Sequence, residues 1–96
     1  MLIVVAYDVN TEMAAGRRRL RRMARACKDF GLRVQKSIFE CKVSGTQWVQ
    51  LKHRLLEEMN EKEDSLRFYF LDEADQKKTE HHGLGKPMDL DGPLIV

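Results

Sequence analysis

Two cysteines and two prolines in 96 residues exclude several whole classes of protein. Cys27 and Cys41 are too few for a disulfide framework. One falls on an apolar helical stripe and the other in a strand pattern, so both are expected as reduced, half-buried thiols. No apolar run approaches the roughly 20 residues of a membrane span. The first residues lack a basic lead, and Asp8 interrupts their short apolar run, so they do not read as a signal peptide. A cytoplasmic protein without membrane association is expected. There is no Gly-rich phosphate loop, no Cys/His cluster at metal spacing and no Gly-x-Ser-x-Gly elbow. Aromatics are only 7%, without the glycine-and-aromatic signature of an RRM, so Phe68, Tyr69 and Phe70 read as core packing. His53 and the adjacent His81 and His82 read as solvated.

What is present is a charge pattern. The net charge of +2 says little, but seven of the seventeen Lys and Arg residues fall between Arg17 and Lys28. The acids concentrate later, at Glu57, Glu58, Glu61, Glu63 and Asp64, then Asp72, Glu73 and Asp75. One basic and one acidic face follow. A chain of this length makes one small domain and buries only about 60–65% of its unfolded surface, which favours an oligomer.

Periodicity then sets the elements. Leu2-Ile3-Val4-Val5-Ala6-Tyr7 is a buried-strand run ending at Asp8. A helix is expected from Thr11 to Phe30, started by Asn10-Thr11, stopped by Gly31, and buried through Met13, Leu20, Met23, Ala24, Cys27 and Phe30. Residues 32–43 alternate with one phase slip near Lys36–Phe39, which means two strands with a tight bend or one bulged strand. A second helix follows Ser44-Gly45-Thr46, with core positions Trp48, Leu51, Leu55 and Met59 and with Val49 and Leu56 beside them. Leu66 to Leu71 is a strand. The order β-α-β-β-α-β predicts an α+β, ferredoxin-like domain over 1–96, two helices on one face of a four-stranded antiparallel sheet. Residues 72–96 form a connector ending in Leu94-Ile95-Val96, an extra strand able to join a sheet edge in its own chain or across a dimer. The bare sheet face points to a homodimer.

Asp8 has two readings. At the end of a central strand it would be a rigidly held carboxylate needing a cation, a hydrogen-bond cage or water; alternatively it caps a helix or a turn. Arg17, Arg18, Arg21, Arg22 and Arg25 also stay open. Arginine favours bidentate phosphate contacts, and acidic partners within the helix are nearly absent. A solvated face, or pairing with the acidic 57–64 segment, is the alternative.

Tyr7-Asp8-Val9, the Arg-rich helix closed by Gly31, and Val34-Gln35-Lys36-Ser37-Ile38-Phe39-Glu40 together resemble the Cas-two family, small CRISPR-associated proteins of spacer acquisition. Ile38 departs conservatively from the commoner Val. The resemblance implies a ferredoxin-like homodimer with its terminal strand at the interface. It implies a magnesium- or manganese-dependent endonuclease acting on single-stranded RNA or double-stranded DNA, or a non-catalytic adaptor bridging the dimers of an integrase partner. Asp8 matches the family's catalytic, metal-binding aspartate, with Gln35, Ser37 and Phe39 as the nearby supporting segment and Arg17 the best match to its basic positions. A single Asp is a poor magnesium site, since Mg²⁺ takes about six oxygens. Two copies of Asp8 facing across a dimer axis would supply two ligands. A small-molecule-binding regulatory domain shares this fold class, and the arginine cluster argues against it.

Overall fold

The computed structural model describes residues 1–84. Strand β1 (Leu2–Asp8) leads to helix α1 (Ala14–Lys28), strands β2 (Leu32–Gln35) and β3 (Ile38–Lys42), helix α2 (Gly45–Glu58) and strand β4 (Ser65–Leu71). A short 3-10 turn follows at Glu73–Lys78. The strands lie in the order β2-β3-β1-β4, every neighbouring pair antiparallel. This is the expected ferredoxin-like α+β arrangement. The expected terminal strand Leu94-Ile95-Val96 lies outside the described residues. Among the described residues no helix is long and apolar enough to cross a membrane.

Side chains alternate along a strand. Ile3, Val5 and Tyr7 point toward the helices and form the core with Met23, Cys27, Leu51 and Leu55, together with Phe39 and Cys41 of β3. Val4, Ala6 and Asp8 therefore face the side of the sheet that neither α-helix covers. Helix α2 is set by a capping box. Ser44 Oγ accepts from the Gln47 N–H at 3.1 Å, and Gln47 Oε1 accepts from the Ser44 N–H at 2.9 Å.

Several expectations change. Helix α1 begins at Ala14 rather than Thr11, because Asn10 spends its side chain locally. Its Oδ1 accepts from the Glu12 N–H at 3.0 Å, a turn that competes with helix capping. Met13 precedes the helix and is 71% exposed. Val49 and Leu56 are exposed as well; Val49 lies about 200° around α2 from Leu51, at about 100° per residue. Phe68 packs against the core, whereas Phe70 meets Trp48 edge-on at 5.1 Å and stays exposed, as does Tyr69. The phase slip resolves into two strands turned at Lys36-Ser37, with a register shift between Arg33 and Gln35.

Both cysteines are fully buried rather than half-buried. Burial pushes the Cys27 thiol up to about 12 and Cys41 up to about 11, so neither forms thiolate near neutral pH. Ellman's reagent at pH 8 should react with the native protein only as fast as the protein unfolds.

Gly31 does end the helical segment, its N–H donating to the Cys27 carbonyl at 2.9 Å, but not through a left-handed backbone. Its Cβ would strike the Glu40 carbonyl and come within 2.5 Å of Cys41 Sγ, so glycine is required by the close passage of β3. Gly31→Ala should lower stability by about 1–3 kcal/mol, the usual cost of overpacking, read from the urea midpoint.

Candidate functional site

Asp8 ends β1 directly opposite Ser65 of β4. Its carboxylate is exposed, and among the described residues it has no hydrogen-bond or ion-pair partner. The capping and turn reading therefore finds no N–H to support it. Asp8 lines a broad concavity of about 850 Å³ on the bare sheet face, together with Gln35, Ser37 and Ser65. Lys36 and Arg67 supply the cationic part of this lining, and Tyr69 supplies an aromatic ring held by Arg67 Nη1 at 3.1 Å from its hydroxyl. The Tyr7 N–H donates to the Ser37 carbonyl at 3.1 Å, which ties the β2–β3 turn beside Asp8.

Gln35 and Ser37 thus join Asp8, and Phe39 does not. Phe39 is 0% exposed on the helix side of the sheet, stacked on Tyr7 at 6.2 Å and lying beneath the Arg33 guanidinium at 5.0 Å. Its part is to pack the motif into the core. The Tyr7 hydroxyl is buried with no partner at bonding distance. Burial raises its pKa, and the nearby Arg33 offsets this only in part.

The arginines occupy a different surface. At about 100° per residue, Arg17, Arg18, Arg21, Arg22 and Arg25 share one arc of α1 spanning about 140°, and all five are exposed. Helix α1 packs on the sheet face opposite Asp8, so these side chains and the carboxylate do not share a site within one protomer. Arg17 Nη1 donates to the Thr11 carbonyl, in the loop after β1, at 3.1 Å. Arg22 lies 3.8 Å from Glu58, an exposed pair worth little. Arg18, Arg21 and Arg25 have no acidic partner among the described residues. A groove of about 410 Å³ runs between Arg21, Arg25 and Lys28 of α1 and Arg33 of β2.

Pairing with the acidic segment occurs loosely through Arg22 and more tightly through a residue outside that set. Arg19 Nε donates to Asp64 Oδ2 at 2.8 Å and its Nη2 to Oδ1 at 3.1 Å, and the Asp64 side chain is fully buried. The Arg19 hydrogen bond, with backbone N–H groups of Asn60 and Asn10 assisting, holds the Asp64 carboxyl below its usual pKa. Its stabilising share is therefore whole above about pH 4, the ordinary carboxylate value, and is lost as pH falls further. His82 is exposed, as expected, and His81 partly so, and both line the Asp8 concavity. His81 Nε2 lies 2.8 Å from the Leu84 carbonyl, which can only accept, so this nitrogen carries the proton.

A family model described as CRISPR associated protein Cas2 matches residues 1–79. The chain belongs to the Cas2 family. A relative from Chlorobaculum tepidum, named CRISPR-associated endoribonuclease Cas2, is 57% identical over 96 residues and covers 100% of both chains. One from Halalkalibacterium halodurans, named CRISPR-associated endonuclease Cas2, is 45% identical with 99% of each chain covered. The crystal structure of Streptococcus pyogenes Cas2 at pH 6.5 is similar at a TM-score of 0.79 and 51% identity, over 86% of this chain and 100% of that one.

Within this Cas2-family chain the oxygen donors lining the concavity, the Asp8 carboxylate and the hydroxyls of Ser37 and Ser65, are of the hard type that suits Mg²⁺ or Mn²⁺, and His81 and His82 add imidazole nitrogens to the same lining. Their number is short. Among the described residues no group of three or more His, Cys, Asp or Glu side chains could hold a metal. Among the described residues one protomer brings a single carboxylate to this concavity, so a complete site would need further oxygens, from a second copy, phosphate or water.

Proposed function

We propose that this chain is a metal-dependent endonuclease of CRISPR spacer acquisition, working as a homodimer in which two Asp8 carboxylates meet at the interface. The single observation carrying this reading is Asp8 itself, an exposed carboxylate without a partner among the described residues, at the end of a central strand on a sheet face the helices leave bare. The names of the relatives from Chlorobaculum tepidum, an endoribonuclease, and Halalkalibacterium halodurans, an endonuclease, support nuclease chemistry. A Mg²⁺ or Mn²⁺ ion bound there would polarise the phosphodiester and neutralise its developing charge. The chain's own residues hold the reacting groups: Asp8 as ligand, with Lys36 and Arg67 drawing the phosphate into the concavity. Tyr69 offers a face on which an unpaired base can stack.

A second reading rests on a separate observation. The α1 arginines lie on the far side of the sheet from Asp8 and are mostly unpaired among the described residues, so they can hold a nucleic-acid backbone without any metal. That arrangement suits an adaptor joining nucleic acid to an integrase partner.

Wild-type and Asp8→Asn protein should be compared on single-stranded RNA and duplex DNA, with and without Mg²⁺. Metal-dependent cutting by the wild type alone supports the nuclease. Binding without cutting by both, with an integrase co-purifying, supports the adaptor. Sedimentation of the intact chain at micromolar concentration should give a dimer, and a monomer there would refute the shared site.

A further inference from the structure

We infer that Asp64, gripped by Arg19, is a positioning residue that fixes where the Asp8 carboxylate stands; the inference rests on the nuclease reading of Asp8. Asp8 is the last residue of β1, and its placement depends on the two chain segments that flank it. One is the loop that follows, entered through buried Val9 and then Asn10. The other is the start of β4, where Ser65 lies opposite Asp8. Asp64 controls both. It immediately precedes Ser65, and its Oδ1 accepts from the Asn10 N–H at 3.2 Å. Its Oδ2 accepts from the Asn60 N–H at 2.9 Å, which closes the turn leading into β4. The Arg19 fork, at 2.8 and 3.1 Å, attaches the same carboxylate to α1.

The Asn10 segment is clasped from its other side as well. A Cβ on Gly16 would strike the Asn10 carbonyl, so α1 is pressed directly against the loop. One fully buried side chain thus joins the loop after Asp8, the strand opposite it and the helix beneath it. A buried ion pair is a weak source of net stability, because desolvation offsets much of its attraction, and apolar replacements often stabilise as well or better. What this pair supplies in abundance is direction: four hydrogen bonds converging on one carboxylate from three segments. A ligand that must meet its counterpart within a fraction of an ångström needs such a support. Displacement of a reacting group by about 1 Å can cost on the order of a hundredfold in rate.

The test uses the full chain, at a temperature well below each variant's melting transition. In Asp64→Asn, an amide N–H₂ takes the place of one oxygen and faces donors, so the grip on Asn10 or Asn60 is lost. Mn²⁺ affinity, read by water-proton relaxation, should fall about 10- to 100-fold, as it does when supports behind metal ligands are removed. The rate constant kcat should fall by a similar factor. The KM for RNA and the salt dependence of binding should hold within about twofold, because the α1 arginines are untouched. Arg19→Lys keeps the charge but loses the fork, and should give intermediate values without endangering the fold. The double variant Arg19→Met with Asp64→Leu separates support from stability. It should recover melting temperature while Mn²⁺ affinity and kcat stay low. Recovery of both, or wild-type Mn²⁺ affinity in Asp64→Asn and Arg19→Lys, would overturn the positioning role and leave the nuclease reading intact. A wild-type protein that neither binds Mn²⁺ nor cuts RNA or DNA would overturn that reading, and the positioning role with it.

Discussion

Asp8→Asn is expected to lower cleavage of RNA or duplex DNA by about a thousandfold, the scale of several kcal/mol of lost metal-borne charge stabilisation. The substitution keeps size and shape and removes one negative charge. Because Asp8 is exposed and unpartnered among the described residues, the change should move stability by no more than about 0.5 kcal/mol, leaving the melting curve in place. Binding should persist, since the α1 arginines stand on the opposite side of the sheet. Full activity of Asp8→Asn, after removal of contaminating nucleases, would sink the metal site and leave the adaptor reading ahead.

The second large effect belongs to α1. If about four phosphates are neutralised, log affinity should fall with log salt at a slope near −3.6, at about −0.9 per contact. Arg18→Glu combined with Arg25→Glu removes two contacts, so the slope should drop to about −1.8. The expected loss is about 60-fold at 0.1 M salt, from the two missing contacts alone. The loss should be equal for all sequences, because phosphates carry no base identity. Arg22→Glu alone should cost less, since Glu58 lies 3.8 Å away and already offsets part of that charge. An unchanged isotherm for the double variant would assign this helix to a solvated face.

The fold was legible because its signals are local. The apolar run before Asp8, the helix start at Ser44-Gly45-Thr46 and the helical stripe through Met23 and Cys27 each occupy a few neighbouring residues, and each appears in place. The site was legible only in part. A continuously apolar strand hides its parity, so nothing in residues 2–7 tells which way Asp8 points, or that it points away from the arginines. Phe39 could have been placed by alternation with buried Cys41, and its neighbours in the motif drew attention instead. The Arg19–Asp64 pair spans 45 positions and leaves no periodic trace, because any arginine of the run has the same chemistry. Only the packing of α1 against the loop at Asn10 selects Arg19.

On the nuclease reading, the placing of the α1 arginines and the Asp8 carboxylate on opposite faces bears on what length of substrate can be cut. A strand held along α1 must travel around the end of β1 before reaching Asp8, past a helix-and-sheet thickness of about 15 Å. At about 3.4 Å per nucleotide, a fragment of four or five residues is used up on the way. Such fragments would occupy the helix and block longer strands without being cut themselves. Oligonucleotides would change from inhibitors to substrates over a narrow range of length.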